Sequence, residues 1–129
     1  MGNFPEELRY TDSHEYVMVE GNIATIGITD YAAEKLGDIV YVELPRVGDV
    51  FTTGQSFGVI ESVKSVSDLY APVGGKVVAI NETLSDHPET ITDDSYERGW
   101  IIKIEMNDVI EAEGLMNSET YSSHVSTES

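Results

Sequence analysis

The residue with the clearest potential for chemistry is Lys64, because it stands midway between two runs of strand-forming residues. The other lysines are Lys35, Lys76 and Lys103, and none of them occurs at a predicted hairpin tip. A lysine amine that an enzyme must acylate has to be exposed and rigidly presented, and a tight turn on a packed scaffold meets both needs. An ordinary solvated turn lysine fits the same local pattern, so the hairpin alone leaves both interpretations open.

The stretches on each side of Lys64 predict the hairpin that would present it. Ser56 to Ser62 and Ser65 to Tyr70 are rich in residues that favour strands, and Val63-Lys64 lies between them as the tip. Ala71-Pro72-Val73-Gly74-Gly75 then predicts a turn that ends the second strand. The lysine is therefore expected at the point where a side chain projects farthest from the sheet.

The rest of the chain alternates short predicted strands with turns. Strand patterns occur at 15–20, 23–28, 39–44, 50–51, 76–80 and 100–106. Thr29 or Asp30 is expected to cap a two-turn helix that ends at Leu36, and short helical stretches are predicted at 82–86, 108–114 and 117–125. The polar stretch 87–99 is expected to form a long surface loop. Since no room remains for crossover helices, the sheets are expected to be mostly antiparallel.

Charge and composition exclude several classes of function. The chain has 129 residues and a net charge of −17, so the basic patch that nucleic-acid binding requires is missing and no nucleic-acid partner is expected. The absence of cysteine excludes disulfides, thiolate metal sites and thiol nucleophiles. No leader or membrane-length apolar run is visible, so no membrane partner is expected. The expected location is the cytoplasm, or the mitochondrial matrix if a transit peptide has been removed.

The sequence around Lys64 resembles the lipoyl-lysine segment of the glycine cleavage system H-protein family and reads ESVKSVSDLYAPVGGKVVAINETLSDHP. The N-terminal half of that family is similar to SHEYVMVEGNIATIGITDYAAEKLGDIVYVELPRVGD. Its C-terminal part is similar to ETITDDSYERGWIIKIEMND, which is followed here by LMNSETY. The resemblance therefore covers nearly the whole chain.

The resemblance implies a mainly β fold of the lipoyl-domain type. We expect a barrel-sandwich hybrid of short antiparallel strands with a few short helices and a C-terminal helix. We also expect residues 1–129 to form a single domain, with the lipoyl-type core at about 38–106.

The function that the resemblance implies is that of a carrier, not an enzyme. Lys64 matches the modified lysine of the family, so lipoate is the expected cofactor, joined to that amine by a lipoate-attaching enzyme. A pyridoxal-phosphate glycine decarboxylase would load the aminomethyl group of glycine, and a folate-dependent aminomethyltransferase would remove it. Dihydrolipoyl dehydrogenase would then reoxidise the carrier. These enzymes are the expected partners.

Further site residues are expected near the arm. Glu15 and Asp68 match family positions that line the cleft for the loaded arm, with Ser13 beside them. Carboxylates suit this place because charge-assisted hydrogen bonds hold a cationic amine. Glu61, close to the tip, is expected to help present Lys64. The competing interpretation for these acids is that they are ordinary solvated surface charges.

Three alternatives to this function stay open at the level of sequence. A lipoyl or octanoyl relay protein would donate its group to other lipoyl domains. A biotinyl domain usually flanks its lysine with methionines, whereas Val63 and Ser65 stand here. A noncatalytic β-sandwich binding module would have no modified lysine at all.

The histidines do not indicate a metal site. No metal site is expected, because the sequence lacks the spacing of metal ligands between His14, His87 and His124.

Overall fold

The computed structural model describes residues 3–128, which form nine strands and five helices. The strands are β1 (Arg9–Tyr10), β2 (Glu15–Glu20), β3 (Ile23–Ile28), β4 (Ile39–Glu43), β5 (Val50–Phe51), β6 (Ser56–Ser62), β7 (Val66–Tyr70), β8 (Gly75–Ile80) and β9 (Ile102–Met106). The helices are α1 (Asp30–Leu36), α2 (Thr83–Asp86), α3 (Thr90–Asp93), α4 (Ile110–Glu113) and α5 (Ser118–Glu128).

The strands form two sheets that share one apolar core. The larger sheet has the order β1-β2-β3-β9-β8-β5, and the smaller sheet has the order β4-β6-β7. Every neighbouring pair is antiparallel. Fully buried aliphatic side chains from both sheets, among them Ile26, Ile60 and Ile104, pack in the same cluster. The mainly β class, the short helices and the C-terminal helix are confirmed, whereas the core limits at 38–106 stay a prediction.

The β2–β3 hairpin follows the predicted pattern, and its packing explains one glycine. Tyr16 lies opposite Gly27 in the register, and its buried hydroxyl donates to the carbonyl oxygen of Ser95 at 2.7 Å. A Cβ atom at position 27 would lie 2.6 Å from the Tyr16 ring. Glycine is therefore needed there because the aromatic ring crosses directly over the neighbouring strand.

Helix α1 begins and ends as its sequence predicts. The Thr29 hydroxyl accepts the backbone N–H of Ala32 at 3.2 Å, which satisfies one of the free donors in the first turn. Gly37 ends the helix at φ 78°, a backbone angle that favours glycine, and its N–H donates to the carbonyls of Ala33 and Glu34. The helix is thus fixed at both ends beside the β6–β7 hairpin.

The prediction of a surface loop over 87–99 is wrong. This stretch contains helix α3, which contacts α1, and its Ile91 is fully buried in the main core. Ser95 is also buried, and its hydroxyl donates to the Ile91 carbonyl oxygen at 2.7 Å. The polar side chains around Ile91 conceal this contact in the sequence, because one buried isoleucine is enough to fix the segment to the core.

Smaller differences concern the ends of elements. The two-residue strand β1 was not predicted. It pairs with β2 at the edge of the larger sheet, with Arg9 opposite Val17 and Tyr10 opposite Tyr16. The helix expected over 108–114 is shorter and runs from Ile110 to Glu113. Asn117 precedes α5, and its side-chain oxygen accepts the N–H of Thr120 at 2.8 Å, which caps the first turn of that helix. Within residues 3–128, no helix has the length and apolar character needed to cross a membrane.

Candidate functional site

The β6–β7 hairpin positions Lys64 through a closed set of hydrogen bonds. Ser62 and Ser65 join the two strand ends, with the Ser62 N–H donating to the Ser65 carbonyl oxygen at 2.8 Å. The Ser62 hydroxyl oxygen accepts the N–H groups of Lys64 at 3.3 Å and Ser65 at 3.1 Å. The Val63 N–H donates to the Asp38 carbonyl oxygen at 3.0 Å, which fixes the tip to the segment after α1. The tip is therefore a rigid turn.

The Lys64 side chain is exposed and close to helix α1. A Cβ atom at Gly37 would meet the Lys64 Cε at 3.6 Å, so the aliphatic stem lies over the end of that helix. Within the described residues, no carboxylate lies within ion-pair distance of the Lys64 amine. By contrast, Lys35 contacts the Tyr31 hydroxyl at 3.1 Å and Lys103 lies over the Trp100 ring. The Lys64 side chain is thus accessible from solvent.

Glu61 lies on β6, three positions before Lys64. It pairs in register with Tyr41 on one side and Val66 on the other, and it is half-buried. The hydrogen bonds that close the tip come from Ser62 instead. Any role of Glu61 in presenting Lys64 would thus involve an enzyme that docks there, and it stays a prediction.

A cleft of about 180 Å³ opens beside this hairpin. Its walls combine strands β2, β3, β6 and β7 with helix α1. The lining residues are Ser13, His14, Glu15, Ile28, Ala32, Lys35, Leu36, Ile60, Ser67, Asp68 and Leu69. The structure thus places Ser13, Glu15 and Asp68 at one cleft, while Lys64 and Glu61 lie outside its lining.

Glu15 is the most buried acid in this cleft, with a relative exposure of 1%. One carboxylate oxygen accepts the hydroxyls of Thr11 and Ser13, both at 2.6 Å, and the other accepts the Tyr70 N–H at 3.1 Å. Burial raises the pKa of the Glu15 carboxyl, although the hydrogen bonds from Ser13, Thr11 and Tyr70 oppose this rise. The carboxylate is therefore held in a fixed orientation between the two sheets.

The other two predicted cleft residues are exposed. Asp68 lies on β7, opposite Val59 of β6, and its carboxylate faces solvent at the cleft. Ser13 is exposed in the β1–β2 connection and donates to Glu15. His14, which sequence reasoning did not assign to the cleft, lines it as well, and burial lowers the pKa of its imidazole. The ionisable side chains of the cleft are therefore one buried acid, one exposed acid, a partly buried imidazole and the exposed amine of Lys35.

The apolar part of the cleft was missing from the sequence prediction. Ile28, Leu36, Ile60 and Leu69 come from four different elements, and only the fold brings them together. Their signal in the sequence is the ordinary strand and helix periodicity of core residues, which does not separate a cleft wall from a core position. The sequence prediction also missed Thr11, because its role depends on the hydrogen bond that it donates to Glu15.

Comparison with known proteins decides what this arrangement belongs to. The model of the family described as Glycine cleavage H-protein matches residues 8–128, which include the tip and the whole cleft. The chain belongs to this family. Two curated H proteins of the glycine cleavage system, from Anaeromyxobacter sp. (strain K) and Anaeromyxobacter dehalogenans, are each 53% identical over 121 residues. That alignment covers 94% of this chain and 94% of each relative.

A solved structure agrees with the H-protein assignment at the level of fold. The crystal structure of a glycine cleavage system H protein from Mycobacterium marinum is 35% identical and superimposes with a TM-score of 0.88. The match covers 95% of this chain and 99% of that chain. The H-protein chain described here is thus a lipoyl carrier component of the glycine cleavage system, and the relay alternative is not favoured.

Proposed function

We propose that Lys64 bears lipoate in amide linkage and that the cleft beside it holds the loaded arm. The observation that supports this most directly is the rigid β6–β7 tip, which presents an exposed amine next to a cleft with an apolar wall and acidic groups. When bound, lipoate supplies a disulfide that accepts a one-carbon unit and is later restored by oxidation. The protein presents the lysine, holds the arm in the cleft and shields the bound one-carbon unit from water.

The residues present fit such a group. Gly37 leaves room beside the Lys64 stem, where a side chain would come within contact distance of Cε. The stem lies over the end of α1, and Leu36 of that helix is already part of the cleft wall. Ile28, Ile60 and Leu69 extend this wall, and burying a hydrocarbon arm against it is favourable. The arm therefore has an apolar surface on which to rest beside its point of attachment.

Within this cleft, Glu15 and Asp68 would favour the lipoyl arm that carries the aminomethyl group, which is called the cargo below. A cationic amine that enters the cleft can donate hydrogen bonds to both carboxylates, and such charge-assisted bonds are stronger than neutral ones. Glu15 is already oriented by Thr11, Ser13 and Tyr70, so its carboxylate needs little further ordering. While the carboxylates hold the amine, the apolar wall keeps water away from the aminomethyl group.

The partners we propose are the enzymes of the glycine cleavage system. They are a pyridoxal-phosphate glycine decarboxylase, a folate-dependent aminomethyltransferase and dihydrolipoyl dehydrogenase, together with the enzyme that attaches lipoate. The chain itself would not catalyse these reactions, and it would act as their protein substrate in the cytoplasm. Its net charge of −17 would speed association with basic docking faces.

A reconstituted assay tests this role by replacing lysines one at a time. Lys64→Arg keeps the positive charge at an exposed tip, so the free energy of unfolding should change by no more than about 0.5 kcal/mol. Glycine-dependent release of carbon dioxide in the presence of the partner enzymes should nevertheless fall to background. Lys76→Arg is the matched control, because Lys76 is also an exposed lysine of the β-structure, on β8. Full activity of Lys64→Arg would contradict the proposal.

A further inference from the structure

A second cluster of side chains shares His14 with the cleft, and its other two members belong to no site described above. It joins His14, in the connection before β2, to His124 and Glu128 of helix α5. One ligand atom from each of these side chains lies within 4.8 Å of the other two. His14 and His124 are far apart in the sequence, and their spacing gives no sign of this contact.

Glu128 lies between the two imidazoles. Its Oε1 is 3.2 Å from Nε2 of His14, and its Oε2 is 2.9 Å from Nε2 of His124. Ligand atoms that surround a tetrahedral zinc ion at about 2.0 Å lie about 3.3 Å from one another. The two distances to Glu128 are close to this value, and the remaining separation, which is at most 4.8 Å, would have to shorten for the three groups to surround one metal ion.

Neighbouring groups already orient the ligand atoms. Nδ1 of His14 lies 2.7 Å from the Tyr121 hydroxyl, which in turn lies 2.9 Å from the Thr29 hydroxyl. If Nδ1 donates to Tyr121, the lone pair of His14 Nε2 faces Glu128, and such an outer hydrogen bond is usual for histidines that bind metals. Nε2 of His124 is buried and makes no hydrogen bond of acceptable geometry with any residue in 3–128, despite its closeness to Glu128.

The backbone at this place is also unusual. His14 has a φ of 76°, and among the described residues it is the only one besides glycines with a positive φ. Its N–H donates to the Thr11 carbonyl oxygen at 3.1 Å, and its carbonyl oxygen accepts the Thr29 N–H at 3.0 Å. These bonds hold a conformation that costs free energy, and such residues concentrate at functional sites.

We propose that His14, His124 and Glu128 form a binding site for a divalent transition-metal ion of the zinc type. Two imidazole nitrogens and one carboxylate oxygen suit zinc and its neighbours, whereas magnesium and calcium prefer sites made of oxygen ligands alone. Three protein ligands leave a further position open to water. Because His14 also lines the cleft, the bound ion would tie the C-terminal helix to the cleft wall.

Isothermal titration calorimetry with zinc chloride tests the site. The sample is the full chain without a histidine tag and without a lipoyl group, since a reduced lipoyl dithiol would itself bind zinc. An excess of magnesium chloride saturates carboxylate clusters that bind cations without imidazole. We expect one zinc ion to bind per chain, and thermal unfolding to shift to higher temperature when zinc is added.

Three variants separate this site from the general acidity of the surface. His124→Gln and Glu128→Gln each remove one ligand and should weaken zinc binding by more than about tenfold. His87→Gln is the matched control, because His87 also contacts a glutamate, Glu89, at 3.4 Å but belongs to no group of three possible metal ligands within residues 3–128. It should bind zinc as the unmodified chain does.

Nuclear magnetic resonance of the imidazole nitrogens provides the second readout. Zinc should shift the Nε2 resonances of His14 and His124 together and leave those of His87 unchanged. The proposal is overturned if the unmodified chain binds no zinc in excess magnesium, if His124→Gln and Glu128→Gln bind like His87→Gln, or if zinc binds without shifting the two imidazoles.

Discussion

The carboxylate of Glu15 accepts the backbone N–H of Tyr70 at 3.1 Å, and this bond joins the larger sheet to the smaller one. Glu15 begins β2 of the first sheet, and Tyr70 ends β7 of the second. The acid is therefore part of the scaffold as well as of the cleft. This double role matters for any experiment that replaces it.

The first prediction separates the two roles of Glu15 by comparing alanine with glutamine. Glu15→Ala leaves the Tyr70 N–H without its acceptor and should lower the free energy of unfolding by about 1–3 kcal/mol. Glu15→Gln keeps an amide oxygen for Tyr70, and its NH₂ group can donate to the hydroxyls of Thr11 and Ser13. In urea titrations Glu15→Gln should therefore lower the free energy of unfolding by less than Glu15→Ala does. Equal destabilisation by both variants would contradict the geometry described here.

The second prediction concerns shielding of the cargo by Glu15 and Asp68. The Glu15→Gln change, combined with Asp68→Asn, removes both negative charges from the cleft. We expect the loaded carrier, once freed from the decarboxylase, to lose ammonia and formaldehyde faster than the unmodified chain, because water reaches the cargo when its amine is no longer held. Ammonia release followed over time measures this loss.

The control for this experiment is a pair of acids outside the cleft lining. Glu82→Gln with Asp86→Asn removes the same number of charges from the exposed surface around α2. This pair should leave the decay rate unchanged. If the cleft pair also leaves the decay rate unchanged, Glu15 and Asp68 do not shield the aminomethyl group and the proposed seating of the arm is wrong.

The third prediction concerns the rigidity of the tip. Ser62→Ala removes the hydroxyl that accepts the N–H groups of Lys64 and Ser65, so the turn should become more mobile. Lipoate attachment by the lipoylating enzyme should become slower, and the rate can be followed by intact mass at a fixed enzyme concentration. Ser85→Ala, at an exposed serine of α2, is the matched control.

Measuring the rate of lipoate attachment in Glu61→Gln beside Ser62→Ala shows which of the two residues governs the presentation of Lys64. The hydrogen bonds of the tip assign this role to Ser62, whereas a docking role for Glu61 would slow attachment without changing the turn. Slower attachment in Glu61→Gln alone would show that recognition of charge, and not rigidity, decides the rate.

The sequence predicted those parts of the fold that depend on local patterns. The β2–β3 hairpin, helix α1 with Thr29 and Gly37 at its ends, and the tip at Lys64 follow from residues that are close together along the chain. Strand alternation, capping hydroxyls and glycine turns each act over a few residues, so one sequence is enough to find them.

The parts that were missed depend on contacts between distant residues. Ile91 lies in a polar stretch, yet it enters the core and turns an expected loop into helix α3. The pairing of His14 with His124 requires helix α5 to return to the start of β2. The apolar wall of the cleft likewise gathers single residues from four elements, such as Ile28 and Leu36. Periodicity does not report which faces of different elements meet.

The resemblance of the whole chain gave the function where residue chemistry alone did not. The Lys64 hairpin by itself left an ordinary solvated turn lysine as an open interpretation. Family membership then made the carrier role plain, while the roles of Glu15, Asp68, Ser13 and Glu61 remain proposals.

The measurement that tests the central proposal most directly is the mass of the chain and of its peptides after expression with lipoate. We predict an intact mass increased by one lipoyl group, and a peptide map that places this group on Lys64 alone. In Lys64→Arg the added mass should disappear, although the chain still folds. Lipoate on Lys35, Lys76 or Lys103, or a Lys64→Arg chain that still gains the lipoyl mass, would contradict the assignment.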